Sequence, residues 1–201
     1  MSDLLDLADW RRQVSELYAA ARSAATPIDG WELWRAGRAR LFAQHPQSPI
    51  PGGERSSDRL PRYFSYDAAW RVIAEVEAAP AGDTSLPGSA EEQFTAVRFG
   101  VARAAVGGYD LRLALYWLSG YAGGLFASFR DATSGSQTYG AGRYLLDTAK
   151  GADLGRAGEG LVLDFNFAYQ PSCSYDGKWS CPLPPRDNWL TIPVNAGERL
   201  S

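Results

Sequence analysis

A chain of 201 residues with 23 acidic against 20 basic side chains has the size of one domain, and with 45% apolar and 12% aromatic residues it can bury a substantial core. A formal charge of −3 speaks against a nucleic-acid or anionic-membrane surface, which needs a basic footprint, and no apolar run approaches the roughly 18 residues of a membrane span. The opening Met1-Ser2-Asp3-Leu4-Leu5-Asp6 has neither the basic nor the apolar region of a signal peptide, so a soluble, cytoplasmic protein is expected.

The N-terminal segment carries a helical pattern. Trp10, Val14, Leu17, Tyr18 and Ala21 recur on one face of an amphipathic helix whose other face holds Arg11, Arg12, Ser15, Glu16 and Arg22. A second helix is expected to open at Thr26-Pro27, with Thr26 as N-cap and Pro27 at the first helical position, where a missing N–H costs nothing. Its apolar stripe is Trp31, Trp34, Leu41 and Phe42. It must stop before Pro46, because the residue ahead of a proline is driven out of the helical region. Residues 1–46 therefore read as a helical hairpin arm, 47–61 as a linker loop rich in Pro, Gly and Ser, and 62–201 as an antiparallel β domain, all within one compact unit.

Beyond the linker the period shortens. Arg71 to Glu77 is the first candidate strand, 79–90 an exposed connection, and from Gln93 onward the chain looks entirely β. Gly107-Gly108 is a two-residue hairpin turn in which both positions tolerate positive φ. It sets Leu111, Leu113, Leu115 and Trp117 opposite Ala104, Ala102, Gly100 and Arg98, large against small, as a packed layer requires. Arg103 opposite Arg112 then lies on a wet face. A second hairpin is read from segments 138–146 and 160–169, joined by the loop 147–159. Centred on that loop, it puts Arg143 across from Asp164 and Ala141 across from Asn166. Tyr139, Arg143, Asp164 and Asn166 share one face, while Tyr144, Leu161, Leu163, Phe165, Phe167 and Tyr169 form the apolar one. A slip of one residue would exchange the faces, so the parity is better fixed than the register. The expected fold class is α+β: an N-terminal helical hairpin packed on a mostly antiparallel β-sandwich or partly closed β-barrel.

The run from Phe129 to Leu145, with Arg130-Asp131, Thr133, Gly135, Tyr139 and Arg143, resembles the signature of the DUF1684 family. So do the runs from Asp164 to Cys173 and from Cys181 to Asn188, with Ala196-Gly197-Glu198 near the end. Trp34, Arg38, Leu41 and Phe42, followed by His45-Pro46-Gln47-Ser48-Pro49, resemble the start of its shorter actinobacterial members. One departure is visible: where the family usually has Tyr-Asn-Pro, this chain has Tyr169-Gln170-Pro171. The family has no established activity, so the resemblance implies a fold and a set of motif positions, not a reaction.

Each polar motif has a structural explanation beside its functional one. Arg143 and Asp164 on one sheet face, with Tyr139 and Asn166 nearby, can clamp a small polar or anionic ligand, or can simply be an ion pair that fixes strand register. The run Arg130-Asp131 to Gly135 offers an anion cradle, but the P-loop spacing is absent, and a turn built on Asp and Thr side chains with a positive-φ glycine accounts for it. Gly140 and Gly142 lack the strand-turn-helix setting of a dinucleotide fingerprint. Asn188, after the rigid run Pro182 to Pro185, reads as an amide reaching back to the backbone within a scaffolded crossover. Cys173 and Cys181 flank an Asp176-Gly177 turn that can bring the thiols together. Two reduced thiols, a redox-sensitive pair, and half a zinc site remain open, in that order.

His45 is the one histidine, so multi-histidine metal sites cannot be built and a Ser-His-Asp or Cys-His centre would need His45 itself; its place at a helix end explains it. No metal and no cofactor is expected. The favoured reading is a β domain that binds a small polar or anionic molecule in a pocket lined by Arg143, Asp164, Asn166 and Tyr139, without nucleic-acid or membrane partners. A structural or interaction module, and a metal-independent enzyme using Asp131, Asp164 and Tyr139 for acid–base chemistry, stand beside it. The enzyme reading requires one of those acids in a concave site with a perturbed pKa. Oligomeric state is left open.

Overall fold

The computed structural model describes residues 2–121 and 123–200. Two helices, α1 (Ser2–Ser23) and α2 (Pro27–Gln44), open the chain as the apolar stripes require. The Thr26 hydroxyl accepts the Asp29 N–H at 3.2 Å, which caps α2, and His45 ends it one residue ahead of Pro46. The His45 ring then meets the Asp9 carboxylate of α1 at 3.1 Å and so ties the two helices together at their open end. Tyr18, Trp31, Trp34 and Phe42 are buried on the stripe that faces the rest of the molecule. No helix among the described residues is long and apolar enough to cross a membrane.

Among the described residues nine strands follow: β1 (Arg62–Tyr63), β2 (Arg71–Pro87), β3 (Gln93–Val106), β4 (Tyr109–Leu118), β5 (Gly124–Phe129), β6 (Arg143–Asp147), β7 (Arg156–Ala157), β8 (Gly160–Asp164) and β9 (Glu198–Arg199). Strands β1 and β9 pair with each other, and the other seven form one antiparallel sheet in the order β6-β5-β4-β3-β2-β8-β7. Register breaks in the β2–β3, β3–β4 and β5–β6 pairs bend the sheet, as extra unpaired residues do, and it curls into a half-barrel. The α+β architecture with a partly closed barrel is thus the one expected. Leu113, Ala127, Phe129, Leu163 and Phe165 fill its main core, which Val194 and Ala196 of the C-terminal segment close. On the other face Leu86, Tyr116, Phe126, Tyr144 and Cys181 form a second cluster. A third joins the helical hairpin to Ala152 and Phe167.

The β3–β4 hairpin turns at Gly107 and Gly108, at φ of 56° and 83°. Near the turn its register is the expected one, with Ala104, Ala102 and Gly100 opposite Leu111, Leu113 and Leu115, and Arg103 opposite Arg112. Beyond Gly100 the register shifts by one, so Trp117 faces Val97 rather than Arg98 and is 46% exposed. Three further expectations are corrected. Segment 79–90 is not a loop: β2 continues to Pro87, because the register break between Ala78 and Gly82 absorbs Pro80, which has no N–H to give a ladder. The chain is not entirely β after Gln93, since 130–142 and most of 165–197 are turns and short 3-10 segments. The hairpin between 138–146 and 160–169 does not form. Gly158, at φ of 58°, lets β8 fold back tightly on β7, with Ala157 opposite Gly160; β8 then pairs with β2 on its other edge while β6 pairs with β5. Arg143 and Asp164 therefore stand on strands separated by four others.

Candidate functional site

Asp164 does face an arginine across a strand pair, but the arginine is Arg71, which opens β2. Asp164 ends β8 and caps the 3-10 turn Phe165–Phe167: its Oδ1 accepts the Asn166 backbone N–H at 3.0 Å and the Asn166 Nδ2 at 2.8 Å. Both amide hydrogens of Asn166 are committed. Its Nδ2 also donates to the Asp67 carbonyl at 2.9 Å, its Oδ1 accepts the Asp67 N–H at 3.0 Å, and its carbonyl accepts the Trp31 indole N–H at 2.9 Å. It therefore fixes Asp164 against α2 and the turn at residue 67.

The other carboxylate oxygen of Asp164 is different. Oδ2 is buried and has no hydrogen-bond partner among the described residues; Arg71 Nε stands 3.6 Å away, close enough to attract but too far to donate. Burial pushes the Asp164 carboxyl up to about 6, against the two hydrogen bonds from Asn166 and the charge of Arg71. This acid lines a cleft of about 320 Å³ between the α1–α2 turn and the β7–β8 hairpin. Three guanidinium-bearing residues line it, Arg22 from the last turn of α1, Arg71 from β2 and Arg156 from β7. Thr26 and Pro27 line it too, so the positive end of the α2 dipole meets the same space.

The remaining sequence-derived candidates lie elsewhere. Arg143 is fully buried beneath the C-terminal segment, where its Nη2 donates to Asp131 Oδ2 at 2.8 Å and to the Val194 carbonyl at 2.9 Å, and its Nη1 to the carbonyls of Ala196 and Glu198. It fastens residues 194–198 to β6. Asp131 is the turn-former its sequence suggests, accepting the Thr133 N–H at 2.7 Å, and Gly135 adopts φ of 88°. Arg130 stacks over the Trp189 ring at 4.3 Å. Tyr139 is far from this set in role as well: its hydroxyl points at the Cys173 sulfur, 3.9 Å away. Among the described residues no group of three or more His, Cys, Asp or Glu side chains gathers as a metal would require.

Residues 59–199 match the model of a family described as a protein of unknown function, DUF1684. The chain belongs to the DUF1684 family. It is also similar to an uncharacterized protein of Haloarcula marismortui solved by NMR, at 34% identity over 86% of this chain and 95% of that one, with a TM-score of 0.61. No curated protein matches. Of the residues lining the cleft, Arg71, Arg156 and Asp164 lie inside the DUF1684 match, while Arg22, Thr26 and Pro27 lie outside it.

Sequence reasoning missed all three arginines of the cleft. Arg22 reads as part of a solvated helix face, Arg156 as part of a loop, and nothing local couples position 71 to position 164. The usable signal was a basic residue directly ahead of the apolar run Val72-Ile73-Ala74, a place where a charge survives only if it has a partner or water.

Proposed function

We propose that this domain binds a small anionic, hydroxyl-bearing molecule in the cleft at Asp164. The anionic group lies among Arg22, Arg71 and Arg156, where guanidinium forks recognise carboxylate or phosphate oxygens. A hydroxyl of the same molecule donates to Asp164 Oδ2. One observation carries the reading: Asp164, a lining residue of a cleft that three arginines share, keeps a buried Oδ2 without a hydrogen bond among the described residues. A buried polar atom without a partner costs stability, and a bound donor removes that cost.

Glycerol phosphate combines both groups and serves as the probe. Titrated into the protein, it is expected to give saturable NMR shifts of the Gly155, Ala157 and Val162 amides, and Arg71→Ala is expected to weaken binding about tenfold or more, the worth of one charge-assisted contact. Shifts that do not saturate, or that are unchanged in a folded Arg71→Ala protein, would overturn the reading.

A further inference from the structure

Beside the second core cluster, two cysteines and a tyrosine hydroxyl come together. Cys173 is half-buried in the short 3-10 turn Ser172–Ser174, and the chain returns through Asp176, which accepts the Lys178 N–H at 3.0 Å and the Trp179 N–H at 3.2 Å. That return places Cys181 in the second core cluster, against Cys173. Ser89, from the β2–β3 turn, locks the arrangement: its N–H donates to the Cys181 carbonyl at 2.9 Å, and its Oγ accepts the Cys181 N–H at 3.0 Å. The Tyr139 hydroxyl reaches the Cys173 sulfur at 3.9 Å, while the Ser89 hydroxyl donates to the Trp179 carbonyl at 3.2 Å and so holds the returning chain beside it. Both cysteines are free.

We propose that Cys173 is the nucleophilic thiol, that Cys181 is its resolving partner, and that hydrogen peroxide converts the pair reversibly into an intramolecular disulfide. The two sulfurs are suited to different halves of the reaction. The Cys181 thiol first, and the Tyr139 hydroxyl after it, hold the Cys173 thiol below its ordinary pKa despite burial, so it presents a thiolate. The contact with Cys173 and its own burial hold the proton on Cys181. The charged and titratable neighbours are Tyr139, Tyr144 and Lys150. Exposure divides the pair in the same sense: Cys173 is open to a small oxidant and Cys181 is buried.

In the first step the Cys173 thiolate attacks one peroxide oxygen. The S–O bond forms, the O–O bond breaks, and the leaving hydroxide takes a proton from solvent to become water. Cys173 is then a sulfenic acid. In the second step the Cys181 sulfur attacks the Cys173 sulfur; the S–S bond forms, the S–O bond breaks, and the departing hydroxide takes the Cys181 proton as a second water. Two thiols are oxidised by two electrons in all, and the peroxide is reduced. An external dithiol reverses the change by exchange.

Hydrogen peroxide is added to the folded protein, remaining thiols are capped with N-ethylmaleimide, and the peptides are mapped by mass. The wild type is expected to lose both free thiols to a Cys173–Cys181 bridge within one chain, recovered by dithiothreitol. Cys181→Ser is expected to stop at a Cys173 sulfenic acid that dimedone traps, and Cys173→Ser to leave Cys181 reduced. Preferential oxidation of Cys181, oxidation of Cys181 at the wild-type rate in Cys173→Ser, or bridges only between chains would overturn the proposal. The wild-type map alone decides it if either variant fails to fold.

Discussion

Asn188 shows what a single side chain does when a sheet runs out of strand. At Tyr116 to Leu118, β4 is paired with β5, but at Ala114 the two have splayed apart. The fully buried Asn188 fills the gap: its Oδ1 accepts the Ala114 N–H at 2.8 Å, and its Nδ2 donates to the carbonyls of Ala114 at 3.0 Å and Ser128 at 2.9 Å. A side-chain amide has the same donor and acceptor as a peptide, so it substitutes for a missing stretch of backbone. Asn188→Ala orphans one N–H and two carbonyls in a place water does not reach, and is expected to cost about 3–5 kcal/mol in urea unfolding with an unchanged m-value. Asn188→Asp, which turns an acceptor charge toward two carbonyls, is expected to be at least as damaging. A loss within the range of ordinary surface substitutions would mean the splayed strands are held by something else. Arg143 makes the complementary point: its partners are one carboxylate and three carbonyls of the C-terminal segment, so its charge ties that segment to β6.

Among the elements, the helical hairpin was the most legible and the second β hairpin the least. The helices carry their stripes, cap and stop within a few residues of sequence, and the Gly107-Gly108 turn fixes its own register because the pairing partners are adjacent in the chain. Arg143, Asp164 and their neighbours carry no such local instruction: both β6 and β8 are buried on both faces, so alternation cannot tell one neighbour from another, and the Gly158 turn that decides the pairing sits inside what reads as a polar loop. Of the cleft, the sequence pointed to Asp164 with Asn166 nearby, while its arginines come from three separate elements. Close approach was also unreadable. Gly30 and Gly37 face α1 from α2, and a methyl at Gly30 would stand 2.6 Å from the Ala21 carbonyl oxygen, whereas at Gly37 it would meet only the Leu17 side chain. Helix propensity alone favours Ala at both positions by about 1 kcal/mol. Gly30→Ala is nonetheless expected to destabilise by about 1–3 kcal/mol, because backbone must move. Gly37→Ala is expected to be nearly neutral, since Leu17 can change rotamer. Equal effects of the two substitutions in thermal unfolding would contradict this account of how the helices pack.

At the scale of the whole molecule, the arm and the half-barrel meet over an acid that folding leaves poorly solvated, and this links global stability to pH. In the unfolded chain the Asp164 carboxyl titrates at its ordinary value of 3.8, and in the folded protein at about 6. The folded state thus binds the proton more tightly, so Asp164 contributes its full stability below pH 3.8 and the contribution is lost as pH rises through about 6. Burial raises Glu198 as well, so the two buried acids act in the same direction, and the wild-type curve alone does not separate them. Asp164→Asn does, because it removes one titration and leaves Glu198 in place. Between about pH 4 and pH 8 the stability of the wild type is expected to fall relative to Asp164→Asn by about 2–3 kcal/mol. Parallel curves for the two proteins would mean that the acid is solvated in the folded state. A ligand that donates to Oδ2 must shift the same titration, since it favours the ionised carboxylate: with glycerol phosphate bound, the loss of stability on raising the pH shrinks toward that of the variant. The cleft, the acid and the junction of arm and sheet are thereby read out in one unfolding series.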